Sequence, residues 1–251
     1  MNNNNIRIFA DLDTLSTAAA RRWAELAGQA LASRGQFHVA LSGGSTPRSL
    51  FERLVSADFI GQVGWQHVHI YFGDERCVPP NHPDSNFRMA HEALLSHVAI
   101  PATQIHRMKA ELPNAHEAAA EYQQVLTTQL PKSPAGMPRF DLVLLGLGPD
   151  GHIASLFPDT PILQERQRLT AAVYVDKLQA WRISVTFPMI NNASNILLMA
   201  TGETKAEPLR RVFANDTHTP LLPVQMIQPQ GRMEWYLDES AACYVPESLR
   251  A

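Results

Sequence analysis

Short apolar runs alternate along this chain with segments whose apolar residues recur every three or four positions, and that alternation predicts strands interleaved with helices. Ile6 to Phe9 is the first run. Asp13 or Thr14 then caps a helix with Leu15, Ala19, Trp23, Leu26 and Leu31 at helical spacing, and Gly35 lies just past its end. Phe37 to Leu41 reads as a strand. Pro47 to Val55 reads as a helix with Pro47 at its first position, where a missing amide hydrogen does no harm. Val68 to Phe72 is another strand, followed by a polar, proline-rich connection from Gly73 to Ser85. Asn86 is placed to cap a helix reaching about Val98. Ala115 to Leu130 forms a further helix, and Pro131 to Arg139, with its prolines and Gly136, a surface loop. Phe140 opens a buried strand, and a short helix stopped near Pro158 is expected after it. Strands at about Ala171 to Val175, Arg182 to Thr186 and Asn195 to Ala200 precede a helix that Gly202 to Lys205 opens and that ends near Ala214. Strands this short and apolar, separated by helices, indicate an α/β fold with a mostly parallel sheet covered on both faces.

Composition narrows the function classes. With 251 residues and 45% hydrophobic content the chain can bury a substantial core as a single domain over residues 1–251. Its net charge of -3 offers no electrostatic case for a nucleic-acid partner, so local positive charge must serve something small. Cys77 and Cys243 are too few and too far apart for a disulfide framework, which fits free thiols in a reducing compartment. The start of the chain, four Asn and then Ile6, lacks the pattern of an export signal, and no segment has the apolar length of a membrane span. A cytoplasmic protein with no membrane partner is expected. No metal is expected either: His91-Glu92 lacks a second histidine at zinc spacing, and His67 and His69, placed on one strand face, have no third ligand.

Two strand ends carry the chemistry. The strand after Phe140 breaks into Gly146, Gly148 and Gly151 and delivers Asp150 and His152, and ligands of parallel sheets bind outside such carboxyl ends. His152 can exchange a proton near neutral pH, and Asp150 can orient it. The same glycines match the dinucleotide pattern Gly-x-Gly-x-x-Gly, but Pro158 leaves no room for the long helix that pattern needs. At the other strand end, Ser42-Gly43-Gly44-Ser45-Thr46 combines two glycines, hydroxyls and a helix N-terminus, a cradle for a phosphate monoester. A flexible helix cap alone would account for the loop, and its place after a buried strand favours the anion. It is not a P-loop, and the chain has no Gly-x-Ser-x-Gly elbow. Asp74, Glu75 and Arg76 follow the strand at Val68 and reach the same sheet edge, although taken alone they fit a solvated charge cluster.

These residues resemble the 6-phosphogluconolactonases. The matching blocks are Leu41 to Pro47, Gly73 to Pro79 with Ser85-Asn86, and Gly148 to Pro158. Further on come Arg182 to Pro188, Gly202 to Ala206, and Leu222-Pro223 leading to Trp235 and Asp238. They span nearly the whole chain in order, with Ile153 and Pro223-Val224-Gln225 as small departures. The resemblance implies a Rossmann-like three-layer αβα fold, no metal or organic cofactor, and hydrolysis of 6-phospho-D-glucono-1,5-lactone. On this reading His152 is the general base and acid, with Asp150 holding its ring. Ser42, Gly43, Gly44, Thr46, Arg182 and Lys205 bind the phosphate. Arg76 lies beside them, serving either phosphate or lactone carbonyl, and Asp74 lies nearer the sugar hydroxyls. The partner is a phosphorylated sugar lactone, and a monomer is expected. Related glucosamine-6-phosphate deaminases share both motifs but carry a glutamate five residues after the histidine, where this chain has Phe157. A sugar-phosphate sensor is the non-enzymatic alternative, though no DNA-reading helix pair precedes the first strand.

Overall fold

The computed structural model describes residues 5–214 and 220–249. Six strands form one parallel sheet: β1 (Ile6–Phe9), β2 (Phe37–Leu41), β3 (Val68–Phe72), β5 (Leu142–Gly146), β8 (Asn195–Ala200) and β9 (Arg232–Asp238). Their order is β1-β9-β8-β5-β2-β3, every neighbouring pair parallel, in a three-layer α/β architecture. The interior strands β2 and β8 are apolar almost throughout and buried, as strands covered on both faces must be. A second sheet joins β4 (Asp74–Arg76), β7 (Ala180–Val185) and β6 (Thr170–Val175) in antiparallel register. It carries Arg76 and Arg182 as direct cross-strand neighbours.

The helices are α1 (Leu12–Arg34), α2 (Ser45–Leu54), α3 (Asn86–Ala93), α4 (Ala115–Gln129), α5 (Phe187–Asn191) and α6 (Ala206–Phe213). Helix α1 packs beside α2 and α4 against β6 and β7. Trp23 of α1 is fully buried and meets Phe37 of β2 edge-on, ring centroids 5.8 Å apart, which anchors the helix to the sheet. Because all six main strands point the same way, residues 42, 73, 147, 201 and 239 emerge at one edge, and the candidate site is assembled there.

Several local expectations are corrected. Asp11, not Asp13 or Thr14, caps α1 through a reciprocal pair of bonds with Thr14. Ser85, not Asn86, caps α3, which ends at Ala93 and gives way to a 3-10 turn at Leu95–His97. Helix α2 begins at Ser45, so Pro47 is its third residue, still within the turn where an amide hydrogen has no helical partner. The connection after β3 contains strand β4, and residues 151–160 form no α-helix. There Ala154 and Asp159 adopt positive φ (46° and 61°), conformations a helix does not contain. His67 lies in the turn Trp65–His67 before β3, so it does not share a strand face with His69. The strand at residues 182–186 belongs to the antiparallel sheet and starts at Ala180. Lys205 closes a 3-10 turn, Glu203–Lys205, ahead of α6.

Candidate active site

The turn after β5 is built around the closeness of one ring. A Cβ on Gly148 would fall 1.9 Å from Nδ1 of His152, so only glycine lets the imidazole lie over this backbone. The Gly148 amide donates to the His152 carbonyl at 2.8 Å, closing the loop on itself, and Gly151 turns it with φ 78°. Nδ1 of His152 meets Oδ1 of Asp150 at 2.5 Å. A carboxylate accepts, so Nδ1 carries a proton, which leaves Nε2 as the ring nitrogen that offers a lone pair in the neutral imidazole. Oδ2 of Asp150 accepts from Lys177, in the turn Asp176–Leu178 between β6 and β7. Burial pushes the Asp150 carboxyl up, but the hydrogen bonds from His152 and Lys177 outweigh it and hold the group well below the usual carboxylate range. Asp150 is therefore charged throughout the neutral range, as an orienter of an imidazole must be. Phe157 stacks on the His152 ring with centroids 4.0 Å apart, and the Lys177 ammonium sits 4.7 Å from the Phe157 centroid.

The cationic side comes from other elements: the loop after β2, strands β4 and β7, and the turn after β8. Gly44, at φ 101°, caps α2, leaving the amides of Ser45 and Thr46 at a free helix N-terminus. Gly43 is required for a different reason: a Cβ there would strike the Asn86 side chain at 1.9 Å. Arg76, Arg182 and Lys205 form no ion pair among the described residues. Burial pulls Arg182 down first, and Arg76 beside it adds to the effect. Burial pulls Lys205 down as well, with Asp150 offsetting part of it. Nε of Arg182 is buried with no hydrogen-bond partner among the described residues, a deficit that a bound oxyanion would relieve.

These parts line one cavity of about 390 Å³, a volume suited to a small ligand. Of the residues expected from sequence, it brings together Ser42, Gly43, Gly44, Asp74, Arg76, Asp150, His152, Arg182 and Lys205. Thr46 is not on its lining; its hydroxyl lies 2.7 Å from that of Thr201. The acidic residues beside Arg76 are not solvated. Asp74 is buried and accepts from Ser155 Oγ at 2.7 Å and Asn86 Nδ2 at 3.2 Å. Buried Glu75 accepts from the amides of Asn86 and Phe87, both at 2.8 Å, and so fastens α3 to β4.

Residues 10–235 match the family described as glucosamine-6-phosphate isomerases/6-phosphogluconolactonase. The chain belongs to this family. Within it, the chain is 42% identical over 212 residues to a protein of Nostoc sp. named 6-phosphogluconolactonase, covering 84% of this chain and 86% of that one. The solved 6-phosphogluconolactonase from Trypanosoma brucei superposes with a TM-score of 0.86 at 27% identity, over 97% of this chain and 99% of the other. A monomeric glucosamine-6-phosphate deaminase superposes with a TM-score of 0.80 at 18% identity, over 96% and 99% of the two chains, a likeness of fold alone. In this family member sequence reasoning did not assign Asn86, Ser155 and Phe157 to the site, although they lie in the matching blocks, and it missed outright Lys177 and Leu178, which reach the cavity from the β6–β7 turn. Nothing in the local pattern Val175-Asp176-Lys177-Leu178-Gln179 distinguishes that turn from any exposed one.

Proposed function

We propose that this protein hydrolyses 6-phospho-D-glucono-1,5-lactone to 6-phospho-D-gluconate. One observation carries the reading: an imidazole paired to an ionised carboxylate shares a cavity with Arg76, Arg182 and Lys205, which make no direct ion pair among the described residues. In the proposed step, Nε2 of His152 takes a proton from water as the hydroxide attacks the lactone carbonyl. The tetrahedral oxyanion then collapses, the bond from the carbonyl carbon to the ring oxygen breaks, and His152 returns its proton to that oxygen. The new carboxyl group finally loses a proton to solvent. Asp150 holds the ring and stabilises the imidazolium during the transfer, while Arg76 and Arg182 offer positive charge to the anionic groups of the substrate. Phe157 favours hydrolysis over amino-sugar isomerisation: an apolar ring packed on the imidazole cannot relay the proton that ring opening demands.

Replacing His152 by Ala is expected to lower lactone hydrolysis by about 100-fold to 10,000-fold while leaving 6-phosphogluconate binding intact. The measurement couples lactone generated in situ from glucose 6-phosphate to acid release, with ammonia release from glucosamine 6-phosphate followed in parallel. Unchanged acid release in the variant removes His152 from the mechanism. Ammonia release by the unaltered protein would favour the isomerase reading instead.

A further inference from the structure

Strand β9 ends in Asp238, whose carboxylate is buried and, among the described residues, accepts only from backbone amides. Both its oxygens lie 3.0 Å from the amide nitrogen of Gly202, and Oδ1 accepts in addition from the Ala241 amide at 2.8 Å. Gly202 has φ 87°, a conformation natural to glycine, and its carbonyl accepts from the Lys205 amide at 3.0 Å to close the turn. The residue before it, Thr201, meets Thr46 in the first turn of α2 through the hydroxyl contact at 2.7 Å. The backbone that carries Lys205 is thus held from two sides, by a carboxylate from β9 and by a hydroxyl from α2. This accounts for Thr46, which is not on the cavity lining although Ser42, Gly43 and Gly44 of the same loop are.

We propose that Asp238 is a positioning residue for phosphate recognition: it aims the Gly202 to Lys205 turn at the free amides of α2, and the Thr46–Thr201 pair sets the spacing between the two. The proposal rests on the lactonase reading for its ligand. Lysine reaches a ligand on a flexible four-carbon stem, so the placement of its backbone decides how much rotamer freedom binding must remove. The hydrogen-bond pattern favours a carboxylate over the isosteric Asn. Oδ1 accepts from both amides, but the NH2 of Asn would take the place of Oδ2, 3.0 Å from the Gly202 nitrogen, setting donor against donor.

The test measures 6-phosphogluconate and gluconate binding by calorimetry, and turnover of unphosphorylated glucono-1,5-lactone, in Asp238→Asn, Lys205→Ala and the double variant. Asp238→Asn is expected to weaken 6-phosphogluconate about tenfold, the size of one or two lost hydrogen bonds, and to leave unphosphorylated turnover unchanged. In the Lys205→Ala background it is expected to add almost nothing, because both changes remove the same contact. Equal losses with phosphorylated and unphosphorylated ligands, full additivity with Lys205→Ala, or unaltered 6-phosphogluconate affinity would each overturn the proposal. Should Asp238→Asn not fold, Thr201→Val decides by the same phosphate-selective comparison. Binding is read without lactone turnover, so a protein that binds 6-phosphogluconate but hydrolyses nothing fails the lactonase reading alone.

Discussion

Two residues apart, Asp150 and His152 meet because the chain between and before them can fold tightly enough, and Gly148 is the position that allows it. Gly148→Ala would drive a methyl group into the imidazole. It is expected to lower kcat by about 100-fold through misplacement of the ring, with the far-UV circular dichroism unchanged. Activity within a few-fold of the parent would show that the imidazole has room to move. This pair was legible in the sequence because its two members are near neighbours on one glycine turn. Lys177 was not: it lies 27 residues from Asp150 in the turn joining two strands of the second sheet, and only the folding of the β6–β7 hairpin over the cavity brings the two together. Phe157 was visible as a departure from the deaminase pattern, while its stacking on His152 is a fact of geometry alone.

Between elements, strands β2 and β3 hold a stack of rings on one face of the sheet, at the end away from the cavity. His38 lies against His69 with centroids 4.5 Å apart, and Tyr71 against His106 at 4.5 Å. His106 reaches them because its amide donates to Ile70 at the edge of β3. Burial, then the neighbouring His69 and His106, pull His38 down to about 3, and burial with His69 pulls His106 down to about 4. Both are neutral in the folded state. The unfolded chain binds protons at ordinary histidine affinity, near 6.5, so it gains protons first as the pH falls. The stability these groups contribute is complete above that value and is lost below it, down to about 4 for His106 and about 3 for His38, at about 1.4 kcal/mol per pH unit for each histidine. Urea unfolding between about pH 7 and about pH 5 is expected to show this slope, and His106→Phe to flatten it. An unchanged slope in the variant would mean that other groups govern acid stability. Histidine spacing in sequence suggested only a metal test at His67 and His69; the pairing of β2 with β3 supplied the stack. The same dependence on pairing hid β4 and β9. The polar Asp74-Glu75-Arg76 has no strand periodicity, and Arg232–Asp238 carries charge at both ends.

For the molecule as a whole, the loop 42–46, the turn 202–205 and the turn bearing Asp150 and His152 lie on one rim of a single parallel sheet, so ligand binding there is linked to global stability. At one hundred times its dissociation constant, 6-phosphogluconate is expected to add about 2.7 kcal/mol, or about 5–10 °C in Tm. At the same concentration Lys205→Ala is expected to show a clearly smaller shift, and gluconate none. Equal shifts in the parent and Lys205→Ala would separate Lys205 from phosphate recognition. By itself the sequence determined the α/β class, the alternation of its main elements, the glycine turn bearing Asp150 and His152, and the Ser42 to Thr46 loop. Each of these is written within a few residues, where periodicity and backbone freedom act locally. Only the tertiary structure decided the rest. It placed β9 between β1 and β8, set Arg76 beside Arg182, brought Lys177 to Asp150, and turned Thr46 toward Thr201. Those contacts join segments far apart in the chain, and only the strand order and packing of the folded molecule bring such segments within bonding distance.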